Sequence, residues 1–95
     1  MKLIVSQAAT ADLARLHAFL VDKNPAAADR AVAALVAAIQ SISAFPKRGR
    51  PSGTPNIREL IVPFGGAGYV VRYSHSEQAD EAAVLRITHG REARE

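Results

Sequence analysis

Residues 57–88, IRELIVPFGGAGYVVRYSHSEQADEAAVLRIT, decide the fold. Three runs within them, residues 57–62 (IRELIV), 69–74 (YVVRYS) and 83–88 (AVLRIT), are rich in β-branched or aromatic residues and read as strands. They are separated by residues 63–68 (PFGGAG) and by the polar residues 76–81 (SEQADE), both suited to hairpin connections, so the stretch predicts an antiparallel meander. Gly65, Gly66 and Gly68 are turn glycines in this reading, because a strand rather than a helix follows them and no Lys-Ser/Thr pair does.

Working towards the N-terminus, residues 47–56 (KRGRPSGTPN) hold two prolines, two glycines and three basic residues and read as an irregular loop. Before it, Asn24-Pro25 places a strong N-cap ahead of a proline at the first helical position. The alanine-rich run that follows, with Val32, Leu35, Val36, Ile39 and Ile42 on a 3.6-residue stripe, predicts a helix ending near Phe45, before Pro46. Ser6 caps an earlier helix over residues 7–23, whose apolar stripe is Leu13, Leu16 and Leu20 widened by Phe19, with Asp12, Arg15 and Asp22 on the polar side. Lys2 to Val5 (KLIV) forms a first short strand. The expected fold class is therefore α+β, in the order β-α-α-β-β-β: a helical hairpin packed on one face of a mostly antiparallel four-stranded sheet, with residues 1–95 as a single domain.

Composition narrows the chemistry. Hydrophobic residues make up 48% and charged residues 22%, the balance of an ordered globule. There is no cysteine, which removes disulfides and thiolate catalysis. No run approaches the 18 or so apolar residues of a membrane span, and the short apolar start is too brief for a signal-peptide core, so a cytoplasmic location and no membrane partner are expected. The net charge of +3 and pI near 9.8 favour nucleic acid or an acidic protein as partner. Between residues 45 and 75 the bases Lys47, Arg48, Arg50, Arg58 and Arg72 face a single acid, Glu59, so the middle of the chain should carry a positive surface.

The succession of local patterns resembles the RelE/ParE toxins of type II toxin-antitoxin systems. It runs through Asp12-Leu13, the Asn-Pro break, Phe45-Pro46, Gly49-Arg50-Pro51, Arg58-Glu59-Leu60, residues 69–73 (YVVRY) and residues 85–91 (LRITHGR). The resemblance implies a toxin neutralised by a cognate antitoxin whose C-terminal segment wraps it, and possible assembly as a homodimer or as a heterotetramer with that antitoxin. RelE-like members are ribosome-dependent mRNA endonucleases and ParE-like members poison DNA gyrase. The Gly-Arg-Pro, Arg-Glu-Leu and His-Gly-Arg wording is closer to ParE.

Cleavage of RNA by a 2′-hydroxyl needs a base, stabilisation of the extra negative charge and an acid for the leaving oxygen. Arg58, Arg72 and Arg86 lie on the three strands of the meander and His89 follows, so Arg58, Arg86 and His89 are the catalytic candidates should the chain be a nuclease. The bland alternative is that strand arginines are solvated charge or partner contacts. Cleaving members place a tyrosine, or a histidine-tyrosine pair, at the end of the last strand; here His89 is followed by Gly90, while Tyr69 and Tyr73 sit inside a strand where packing is the commoner role. The noncatalytic, gyrase-directed reading is preferred, with Lys47, Arg48, Arg50, Arg58, Arg72, Arg86 and Arg91 as contacts to target or partner. No cofactor and no metal site are expected: His17 reads as a packed edge residue of the first helix, and His75 as an exposed turn residue with no second ligand close in sequence. Val62 and Phe64 are expected to leave apolar surface near a sheet end for a partner segment, added as an edge strand or laid in a groove.

Overall fold

A computed structural model describes residues 1–66 and 68–90. Its elements follow the expected order, with one addition: β1 (Lys2–Val5), α1 (Gln7–Val21), α2 (Pro25–Ala44), β2 (Arg50–Pro51), β3 (Ile57–Val62), β4 (Tyr69–Ser76) and β5 (Glu81–His89). The strands form one five-stranded sheet in the order β1-β5-β4-β3-β2, with β1 parallel to β5 and every other pair antiparallel. The fifth strand corrects the reading of residues 47–56 as wholly irregular. Arg50 and Pro51 pair with Glu59 and Arg58, and proline is tolerated because β2 is the sheet edge.

Both helices start as their caps dictate. The Ser6 hydroxyl accepts from the Ala9 N–H at 3.0 Å, and the Asn24 side chain accepts from the Ala27 N–H at 3.1 Å, with Pro25 opening α2. α1 ends two residues earlier than expected because the Lys23 and Asn24 N–H groups both turn back to the Leu20 carbonyl. α2 is 20 residues long and, at a mean hydropathy of 1.2, long and apolar enough to cross a membrane, which corrects the expectation that no run approaches that length; alanine supplies much of the hydropathy. Its stripe of Ala28, Ala31, Leu35, Ile39 and Ile42 is buried in the core. Val36, expected on that stripe, is 39% exposed. Alanine takes its place because small side chains let the helix lie close to its neighbours.

The core is a single cluster in which Leu35 and Ile42 of α2 meet Val71, Tyr73, Val84 and Ile87 of the sheet, all fully buried. Val62 and Phe64 join it or pack against it, so the exposed large apolar side chains among the described residues lie elsewhere, at Met1, Ile4, Val5, Phe19, Val36, Phe45 and Ile61. Phe19 does not widen the α1 stripe. It is 63% exposed, with the Lys23 ammonium 4.2 Å above its ring. His75 is not in a turn: β4 runs on to Ser76, and His75 is partly buried within it.

Tyr73 ties the basic loop to the core. Its hydroxyl donates to the Pro46 carbonyl at 2.7 Å and accepts from the Gly49 N–H at 2.9 Å. A Cβ on Gly49 would stand 2.8 Å from that ring and hydroxyl and 3.1 Å from the Glu59 carbonyl. Gly49→Ala is expected to cost about 1–3 kcal/mol of stability through this overpacking, measurable as a lower urea midpoint; an unchanged midpoint would show that the loop gives way freely.

Candidate functional site: a clamped arginine row on the open sheet face

Strand alternation sorts the candidate residues before any contact is considered. Leu60, Val71 and Ile87 are buried and in register across β3, β4 and β5. Their sequence neighbours Glu59, Arg72 and Arg86 therefore form the next rung on the opposite face, away from the helices, and Arg50 of β2 pairs with Glu59 to extend it. Four strands thus contribute one row, Arg50-Glu59-Arg72-Arg86.

Each guanidinium in the row is held by a carboxylate. Glu59 lies 3.7 Å from Arg50 and 3.4 Å from Arg72, between the two. Arg86 is held by Asp12 from α1, with Nε donating at 2.8 Å and Nη2 at 3.1 Å, the two-point geometry that suits a guanidinium and a carboxylate. Asp12 reaches β5 because β1 pairs with it only as far as Val84, and beyond that rung the start of α1 takes over. The Ser6 N–H donates to the Val84 carbonyl, the Ser6 hydroxyl to the Leu85 carbonyl, and the Ile87 N–H to Asp12 at 2.8 Å.

Asp12 is only 4% exposed, which corrects its expected place on the polar side of the first helix. Burial by itself would raise its pKa, but Arg86, the Ile87 N–H and Arg15 together outweigh that and hold it below the usual carboxylate value. Periodicity could not have found this residue, since by helical spacing alone a buried aspartate is an error. The signal was its match to the Asp-Leu of the toxin family, together with the arginine it needs 74 residues away.

The other candidates lie apart. Arg58 pairs with Tyr73 and so faces away from the row, so Arg58 does not share a sheet face with Arg72 and Arg86. Its Nη1 donates to the carbonyls of Gly49 at 2.7 Å and Lys47 at 3.3 Å, clamping the basic loop. His89 pairs with Tyr69, an edge-on ring contact at 5.7 Å, and sits on the face opposite Arg86 because the two are three residues apart on β5. Burial pushes the Tyr69 hydroxyl pKa up, in keeping with a packing role. The rungs of Arg58 and His89 are four residues apart along β4, roughly 13 Å. Arg58, Arg86 and His89 are therefore not brought to one reaction centre. In the loop, Lys47 pairs with Glu77 at 2.7 Å and Arg48 donates to the Ser41 hydroxyl at 2.8 Å. Arg91 lies outside the described residues.

Fold and site together define an α+β protein with an open, arginine-bearing sheet face. Residues 3–94 match the model of the ParE toxin of type II toxin-antitoxin systems, parDE. The chain is 42% identical over 91 residues to toxin RelE1 of Caulobacter vibrioides, covering 96% of this chain and 95% of that one. It is 35% identical to toxin RelE3 of the same organism, covering 87% of each. Among solved structures it is similar to the chromosomal ParDE toxin-antitoxin system from P. aeruginosa, with a TM-score of 0.77 and 26% identity over 94% of this chain and 95% of that one. The chain belongs to the ParE toxin family and is the toxin of a type II toxin-antitoxin module, with a cognate antitoxin as its partner.

Proposed function

We propose that this toxin acts by binding rather than by chemistry, inhibiting DNA gyrase through the open sheet face, and that the antitoxin releases gyrase by competing for the toxin. The observation that carries this reading is the separation of Arg58, Arg86 and His89 onto different faces and rungs, beside an arginine row already fixed in place by Glu59 and Asp12. Preset side chains lose little freedom on binding, which favours a contact surface. The ParE family match and the likeness to a ParDE structure point the same way. The second reading, a RelE-like endonuclease that cuts mRNA on the ribosome, is favoured by the names of the two Caulobacter relatives.

Growth arrest on induction without antitoxin separates the two. His89→Ala is expected to remain as toxic as wild type, with reporter mRNA intact, because His89 packs edge-on against Tyr69 and stands off the row. Arg72→Glu, which reverses charge in the middle of the row, is expected to lower toxicity by about tenfold or more. Cut mRNA together with a harmless His89→Ala variant would overturn the binding reading in favour of the nuclease.

A further inference from the structure

Below the sheet edge, on the side away from the arginine row, a cleft of about 360 Å³ lies between the loop after β2 and the ends of β3 and β4. Arg58 and His75 line it, with Thr54, Asn56, Pro51 and Pro55. Arg58 pairs with Tyr73, and His75 stands two residues further along β4 on the same face, so the guanidinium-bearing and imidazole-bearing residues are diagonal neighbours, roughly 7–8 Å apart. Among the described residues, Arg58 has no carboxylate partner; it is anchored by the Gly49 and Lys47 carbonyls, both through Nη1. Glu77, two residues beyond His75, is already held by Lys47 at 2.7 Å.

The loop that closes the cleft is built to keep its shape. Ser52 N–H donates to the Ile57 carbonyl, Ile57 N–H to the Thr54 carbonyl, Thr54 N–H to the Ser52 hydroxyl, and His75 N–H to the Asn56 carbonyl. Gly53 at φ +92° and Asn56 at φ +64° make the turns, and Pro51 and Pro55 restrict what lies between. A partly buried guanidinium without an acid, a neighbouring imidazole, a hydroxyl and an amide thus line one preformed hollow. Donors arranged around a hollow suit a tetrahedral oxyanion better than a flat carboxylate, whose two oxygens a single guanidinium fork already satisfies.

We propose that this cleft is a phosphate-group site, with Arg58 and His75 as its principal donors, distinct from the arginine row and independent of how the toxin meets its target. The phosphate comes either as a free ion or small ester, or as the terminal phosphate of a nucleic acid strand. The size of the cleft, at the low end of small-molecule sites, fits a phosphate with the sugar it esterifies.

Two-dimensional NMR on the full chain tests this directly, following the amides of Gly53, Thr54, Asn56 and His75. Inorganic phosphate is expected to shift them saturably, about tenfold more tightly than acetate or chloride at matched ionic strength. Arg58→Gln should weaken binding by about tenfold or more. Because Arg58 also holds the loop, His75→Gln is the second variant; it leaves the loop's backbone ties in place and should weaken binding about threefold. A short oligonucleotide that competes only when it carries a 5′-phosphate identifies nucleic acid as the source, and binding of phosphate alone identifies the free ion or a small ester. Shifts that do not saturate, that acetate and chloride reproduce equally, or that persist undiminished in His75→Gln would overturn the proposal.

Discussion

Replacing Asp12 by alanine is expected to lower the unfolding free energy by about 2–3 kcal/mol, seen as a reduced urea midpoint, and to reduce toxicity with it. The carboxylate is buried and serves three donors at once: Arg86 Nε, Arg86 Nη2 and the Ile87 N–H. Removing it leaves the Ile87 amide without its acceptor in the interior, which accounts for most of the loss. The share from Arg86 is modest, because that side chain is 56% exposed and solvent screens its charge. For function the Arg86 share matters more, since the guanidinium at the end of the row would then lose its two-point hold on Asp12. Asp12→Asn should lie between, keeping an acceptor for the amide but losing the charged two-point contact.

The same residue gives the stability a sign with pH. Its folded pKa lies below the ordinary value, so its contribution is complete above the unfolded carboxyl pKa, about 3.9, and is lost as pH falls through the lower folded value. The stability gap between wild type and Asp12→Asn should therefore be flat from neutral pH down to about 4–5 and shrink below that. A gap that widened on acidification would contradict the lowered pKa.

Tyr73→Ala is expected to cost about 3–5 kcal/mol, a large part of the 5–15 kcal/mol typical of a small domain. The ring is fully buried in the middle of the sheet, and its hydroxyl is the point at which the basic loop is fixed to the core, through Pro46 and Gly49. Tyr73→Phe separates the two roles. It keeps the ring and removes both hydrogen bonds, so about 1–3 kcal/mol should be lost, with the rise in exchange of the Gly49 amide confined to that loop. Equal loss in the two variants would mean that the ring itself contributes nothing, against its complete burial.

Most of the frame was legible in the residues. Ser6, Asn24 and Pro25 announced the helix starts, and β-branched runs broken by glycine or polar turns announced the meander, because these are short-range effects written in neighbouring positions. What escaped depends on distant partners. β2 exists because Glu59 and Arg58 offer an edge to Arg50 and Pro51. Asp12 is buried because Arg86 and the Ile87 amide arrive where β1 ends, and His75 lies in a strand because β4 outlasts its apolar run. The arginines were recognised as a group, but which of them share a face depends on register: Arg58 and Arg72 are an even number of residues apart in sequence, yet cross-strand pairing puts them on opposite faces. The α2 stripe was misread at Val36 for a different reason, since alanines at close helix contacts carry little hydrophobic signal of their own.

Purified gyrase, relaxed plasmid and ATP, with the toxin added alone or with its antitoxin, test the central claim most directly. The binding account predicts lost supercoiling or accumulated cleaved DNA with wild type and with His89→Ala alike, about tenfold weaker inhibition by Arg72→Glu, and relief by antitoxin. Gyrase that supercoils normally in excess toxin would contradict it.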